Sequence, residues 1–148
     1  MSVPDVNVLV YAHQVDESVH GPYRRWLTDL VNGREPFALS VLVSIAFVRV
    51  VTNSRIFAAP TPLPMALAAV ENLLAHPRCR VVLPATEHWR HVADLCRATK
   101  ATGKAVADAQ HAAVAIAAGS TWVTRDGDFA QFAPHGLRWQ HLVLSSSR

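Results

Sequence analysis

Gly103-Lys104-Ala105-Val106-Ala107-Asp108-Ala109-Gln110-His111-Ala112-Ala113-Val114-Ala115-Ile116-Ala117-Ala118-Gly119, continuing as Ser120-Thr121-Trp122-Val123-Thr124-Arg125-Asp126-Gly127-Asp128-Phe129, reads as one helix feeding one strand. From Asp108 the segment is almost all Ala, Val and Ile until Gly119 stops it, so the helix is apolar nearly all round and is expected to be buried. The strand Thr121 to Thr124 is β-branched and aromatic and runs into Asp126-Gly127-Asp128. In open α/β sheets, sites lie beyond the carboxyl ends of the strands. Asp126 therefore stands where a site would be, and Asp108 can face the same crevice. Taken singly, each acid also has an ordinary structural use: Asp108 against a helix dipole, Asp126 and Asp128 in a turn.

Working outward, helices alternate with short strands. Val6 to Ala12 is apolar except for Asn7, and periodicity alone does not separate a buried strand from a buried helix there. Pro22 to Val31 places Tyr23, Trp26, Leu27, Leu30 and Val31 at helical spacing, with Gly33 as the stop. Phe37 to Leu39 reads as a strand, and Ser40 as the cap of a helix through Val51 whose inner face includes Val43, Phe47 and Val50. Pro60, Pro62 and Pro64 make Ser54 to Pro64 a loop. Met65 to His76 is helical, Arg80 to Leu83 a strand, and Thr86 opens a helix carrying Trp89, Val92, Ala93 and Cys96. Leu137 to Leu144 reads as a last strand. The alternation predicts an α/β fold with a central, mostly parallel sheet flanked by helices.

The chain has 148 residues, 51% of them hydrophobic, which suits one domain over 1–148 with a real core and argues against disorder. Fourteen Lys and Arg against eleven Asp and Glu leave a net charge of +3, which permits a phosphate-rich partner without demanding one. No basic tract is present, so nucleic acid would be met by a folded surface. Cys79 and Cys96 form no CxxC and are too few for a disulfide framework, so reduced thiols are expected. Asp5 follows Met1-Ser2-Val3-Pro4 without a basic stretch, and no apolar run is long enough to cross a bilayer. A cytoplasmic protein with no membrane association is expected.

The two ends of the chain together carry a resemblance. Met1-Ser2-Val3-Pro4-Asp5-Val6-Asn7-Val8-Leu9-Val10-Tyr11-Ala12 resembles the opening of PIN-domain nucleases: a short strand, an Asp, one residue, an Asn, then an apolar helix. Asp108 beginning an Ala-rich helix, followed by Thr124 and Asp126 at a strand exit, resembles their second signature. Phe47-Val48-Arg49-Val50-Val51-Thr52-Asn53, Asp128-Phe129 and Leu137-Arg138-Trp139 look like VapC, the toxin component of type II toxin–antitoxin pairs. The resemblance covers nearly the full length, and the abundance of Ala and of Arg over Lys is similar to high-GC bacterial members. It implies that the first strand is Met1 to Pro4, that Asp5 sits at its exit, and that Asn7 to His13 is helical.

It further implies a metal-dependent endoribonuclease, an RNA substrate, a homodimer and a cognate VapB-like antitoxin that wraps and inhibits the toxin. Water attacking a phosphodiester builds negative charge, which a hard divalent cation screens while lowering the pKa of the water. Carboxylates without thiolates suit Mg²⁺ or Mn²⁺. Asp5 and Asp108 are the first-choice ligands, and Asp126 completes the set directly or through a water. Thr124 and Asn7 then act as hydrogen-bonding groups that orient the acids. Asp128 is expected nearer the solvent side of the turn. Arg49 and Lys104 are candidates for backbone-phosphate contacts, or else ordinary surface charges.

One departure stands out. Many PIN domains carry a Glu on the helix before the Phe-x-Arg pattern, where this chain has Ser44-Ile45-Ala46; Glu71 and Glu87 do not match that motif. The departure bears on metal number, and it motivates an alternative: a catalytically silent PIN-like module that binds RNA or a partner. A haloacid-dehalogenase-like phosphatase ranks last, because it wants a second Asp where Asn7 stands. His88, His91 and Asp94 share a helix face but lack a further zinc partner at a known spacing. No GxGxxG, GxxxxGK[ST] or GxSxG is present. Trp26, Trp89, Trp122 and Trp139 are expected as core or interface anchors, with Trp139, near the end, the one candidate for exposure.

Overall fold

In the computed structural model, which describes residues 1–15 and 18–146, the chain runs β1 (Ser2–Pro4), α1 (Val6–His13), α2 (His20–Asn32), β2 (Phe37–Ser40), α3 (Val41–Val51) and α4 (Leu63–Leu74). It continues with β3 (Cys79–Val82), α5 (His88–Thr99), α6 (Lys104–Ala117), β4 (Thr121–Thr124), a 3₁₀ segment (Gly127–His135) and β5 (Trp139–His141). β4 lies between β1 and β5, β2 pairs with β3, and every one of these pairings is parallel. β1 packs beside β2, so the two ladders form one layer. Parallel neighbours require long crossovers, and the helices between successive strands supply them.

The alternation along β4 explains why its sequence is apolar on both sides. Trp122 packs into the larger core with Ala109, Ala112, Ala113 and Phe129, whereas Val123 faces Val8, Ala12, Tyr23 and Leu142. A parallel strand covered on both faces reads as a continuous apolar run. α6 meets the expectation of burial, with Ala109 and Ala112 to Ala115 all enclosed. Gly119 ends the turn after it at φ 63°, a left-handed conformation that favours glycine.

The expected fold and element order hold, but several boundaries move. α6 starts at Lys104, one turn before Asp108, so that acid is not at the helix start but inside the second turn. α4 begins at Leu63 rather than Met65, because Pro64 fits the first turn, where no N–H is needed. Ser40 occupies the cap position of α3 without bonding it: its hydroxyl is buried without a partner, while its carbonyl accepts from Ser44 Oγ at 3.0 Å. The inner face of α3 buries Val43, Phe47 and Val51, with Val50 partly buried against the same core. α5 begins at His88 rather than Thr86, and the last strand covers only Trp139–His141 of the run Leu137 to Leu144.

Tyr23 links α2 to the end of the chain. Its buried hydroxyl donates to the Leu142 carbonyl at 2.7 Å and accepts from the Leu144 N–H at 3.2 Å. Tyr23→Phe leaves both backbone groups short of a partner and is expected to destabilise the fold by about 1–3 kcal/mol. Urea unfolding reads this directly; an unchanged midpoint would contradict it.

Candidate active site

β1 stops at Pro4, and Asp5 follows as the N-cap of α1, its Oδ1 accepting from the Val6 N–H at 2.6 Å. The register sets Pro4 opposite Val123, and the Asp5 N–H donates to the Val123 carbonyl at 2.8 Å, so the two strand exits lie abreast. Fully buried Thr124 then donates from Oγ1 to Asp5 Oδ2 at 2.7 Å. The same hydroxyl oxygen accepts from the Asp126 N–H at 2.9 Å and from Asn7 Nδ2 at 3.4 Å. Asn7 Oδ1 in turn accepts from the Arg125 N–H at 3.2 Å. Thr124 and Asn7 thereby hold Asp5 and the Arg125–Asp126 turn in one arrangement.

The third acid arrives from α6. Asp108 is 8% exposed, and Lys104, one turn earlier, donates Nζ to Asp108 Oδ2 at 2.9 Å and to Asp126 Oδ2 at 2.7 Å. Asp126 also accepts from the Asp128 N–H at 2.9 Å. Asp128 itself turns its side chain to solvent, as expected, with its carboxylate 3.9 Å from the ammonium. Asp5, Asp108, Asp126 and Lys104 all line an open cleft of about 540 Å³, with Asn7 and Arg49 also in its walls. A second cavity, about 340 Å³, lies among α1, α2, α3 and α4, is mostly apolar and holds none of these acids.

The acids differ electrostatically. Burial pushes the Asp5 carboxyl up to about 6, with the nearby Asp108 and Asp126 charges adding to the rise and the bonds from Thr124 and Val6 opposing it. Partial burial acts upward on Asp126 too, but the hydrogen bonds from Lys104 and the Asp128 N–H outweigh it and hold that carboxyl below its usual range. The Asp126 hydrogen bond, reinforced by Asp108, raises Lys104 well above an ordinary ammonium. Three oxygen-donor acids on one wall suit a hard divalent cation, and the ammonium between two of them marks where the cleft attracts positive charge. Among the described residues, however, no three His, Cys, Asp or Glu side chains converge closely enough to hold an ion as they stand. The donor types fit, and two of the three acids are paired with Lys104.

The PIN domain family profile matches residues 2–134. Ribonuclease VapC43 of Mycobacterium tuberculosis is 43% identical over 137 residues, covering 93% of this chain and 92% of the relative. The chain belongs to the VapC group of the PIN-domain family. Among solved structures, Mycobacterium tuberculosis VapC20, described as a Sarcin-Ricin loop cleaving toxin, superposes with a TM-score of 0.66 at 17% identity, covering 96% of this chain and 98% of that one. VapBC2 from Rickettsia felis, bound to a DNA fragment from their promoter, superposes with a TM-score of 0.65 at 17% identity over 94% of this chain and 96% of that one. Both share the PIN fold.

Of Ser44, Ile45 and Ala46, the positions compared above with a Glu of many PIN domains, Ala46 lines the cleft; α3 brings it Ala46, Arg49 and Val50 but no fourth acid. His111 escaped the sequence reading. It lines the cleft, stacks on Trp122 with ring centroids 5.4 Å apart, and burial lowers its pKa against the raising effect of Asp108. Its spacing of three from Asp108 on one helix was the available signal. Trp139 packs partly buried against the core, as an anchor should, and the exposed tryptophan is Trp89, at 80%, because its helix turns that position to solvent. The zinc grouping does not assemble either: Asp94 pairs with Arg97 at 3.1 Å, and His88 Nε2 is buried without a partner.

Asp5 carries a pH dependence of known sign. Its folded carboxyl binds a proton more readily than the ordinary value of 3.8, so its contribution to stability is complete below that value and is lost as the pH rises through about 6. Asp5→Asn is therefore expected to match wild type near pH 3.5 and to exceed it at pH 8, by up to about 3 kcal/mol. Urea unfolding with EDTA across that range measures the difference; parallel profiles for the two proteins would refute it.

Proposed function

We propose that this chain is a single-domain, metal-dependent endoribonuclease acting as the toxin of a VapBC-type toxin–antitoxin pair in the cytoplasm. One observation carries the reading: the adjacent exits of β1 and β4 present Asp5 and Asp126 to a cleft that Asp108 enters from α6. Membership of a group whose relatives bear the name ribonuclease supports it. Asp5, Asp108 and Asp126 would hold Mg²⁺ or Mn²⁺, which when bound lowers the pKa of a water and screens the charge developing on the phosphate. Thr124 and Asn7 orient the acids, and Arg49, exposed in the cleft wall, meets the RNA backbone. A homodimer and a VapB-like antitoxin complete the proposal. An antitoxin Arg could silence the cleft by bidentate pairing with its carboxylates.

The presence of Ala46 in the cleft wall favours a second reading, a module of the same fold that binds RNA or a partner without cutting it. The two separate on one experiment. Purified antitoxin-free protein is expected to cut total bacterial RNA into discrete fragments with Mg²⁺ or Mn²⁺, and to lose this with EDTA. Asp108→Asn should lower the rate on the order of 10²-fold or more, the scale for losing one group that stabilises developing charge. Thr124→Val should cost about 10- to 100-fold, the scale for an outer hydrogen-bond partner of a metal site. Fragments that persist undiminished in Asp108→Asn would remove these residues from the chemistry, and RNA binding without cleavage at saturating Mn²⁺ would establish the second reading.

A further inference from the structure

We propose that Lys104 is a built-in counter-ion of the cleft, which holds the carboxylates in the metal-free protein and must leave them before a divalent cation binds. It thereby sets the metal affinity of the site. The inference rests on the metal-dependent reading above and assigns that reading a residue whose role is competition.

The contacts make the ammonium and an ion mutually exclusive. Lys104 Nζ uses Oδ2 of both Asp108 and Asp126, at 2.9 and 2.7 Å, and lies 3.9 Å from Asp128. Its place in the fold shows that the acids, not the helix, keep it there. Lys104 is the first residue of α6, where the helix dipole disfavours a cation, and Gly103 before it provides no side-chain cap. The order Lys then Asp at a spacing of four is also the less favourable orientation for a helical ion pair.

Mobility is divided unequally between the partners. The Lys104 side chain is 65% exposed on a flexible four-carbon stem, whereas the Asp108 side chain is 11% exposed and that of Asp126 25%. Asp126 is further tied through its own N–H to Thr124 and through Oδ1 to the Asp128 N–H. The cation is therefore the member of the cluster free to swing out. Its departure releases one oxygen on each of two acids, leaving both open to an ion in the cleft that Asp5 also lines. Because α3 adds no acid at Ala46, one ammonium occupies two of the three carboxylates in the cleft wall, so its presence or absence weighs heavily.

The test compares wild type, Lys104→Met and Lys104→Arg as full chains, without RNA, by calorimetric titration with Mn²⁺ and by thermal unfolding in EDTA. Lys104→Met is expected to bind Mn²⁺ about tenfold more tightly, the scale of losing two partly exposed competing ion pairs. Its melting temperature should fall in EDTA and recover in saturating Mn²⁺. Lys104→Arg, which keeps the charge, should stay near wild-type affinity. In the wild type itself, lysine-selective NMR should show the Lys104 ammonium resonance moving in step with Mg²⁺ saturation. Equal or weaker Mn²⁺ binding by Lys104→Met, or an ammonium resonance that stays still while Mg²⁺ binds, overturns this inference and leaves the metal-dependent reading standing. Absence of Mn²⁺ binding in both wild type and Lys104→Met overturns the two together.

Discussion

The hydrogen bond from Thr124 to Asp5 joins groups 119 residues apart in the chain, and the site depends on it. It exists because β1 and β4 are parallel neighbours in a register that brings their exits abreast. Parallel pairing in turn demands the helical crossovers, and the last of these, α6, delivers Asp108 to the same edge. With Asp5 taken out of this pairing, it is only the N-cap of a short helix. Within it, one buried hydroxyl positions a carboxylate, a turn and an amide side chain at once.

Gathering acids at a partly dry surface has an electrostatic cost, since buried charge is unfavourable unless paired or hydrogen-bonded. The chain meets it differently at each position. Asp5 has neutral donors, and its carboxyl rises to about 6 under burial. Asp126 has an ammonium and a backbone N–H, and its carboxyl falls. Such divergence among neighbouring carboxyls is common where chemistry is done, because function keeps together charges that folding alone would separate. Here it agrees with the family assignment, and the wall of the same cleft holds Ala46, with no acid from α3.

Where the sequence reading missed, the cause was tertiary. Ser40 has the residue type of a cap but is the last residue of a buried strand, so its hydroxyl meets no helix N–H. Trp89 and Trp139 are chemically alike, and only the packing of their elements decides which is exposed; Trp89 is turned outward on α5. Lys104 reads as a surface cation suited to phosphate, yet it bridges two acids that lie 18 residues apart along the chain. His111 was visible as a neighbour of Asp108 on one helix face, but its stacking on Trp122 required the crossover to fold back.

The sequence by itself determined the α/β class, the element order and the buried Ala-rich helix, because these follow from local periodicity; the resemblance of its two ends to PIN domains is what singled out Asp5, Asp108 and Asp126. The arrival of Asp5, Asp108 and Asp126 in one cleft, the opposite pKa shifts of Asp5 and Asp126 and the capture of Lys104 were decided by the tertiary structure. They depend on strand register, burial and through-space charge, and each of these involves residues that sequence spacing keeps far apart.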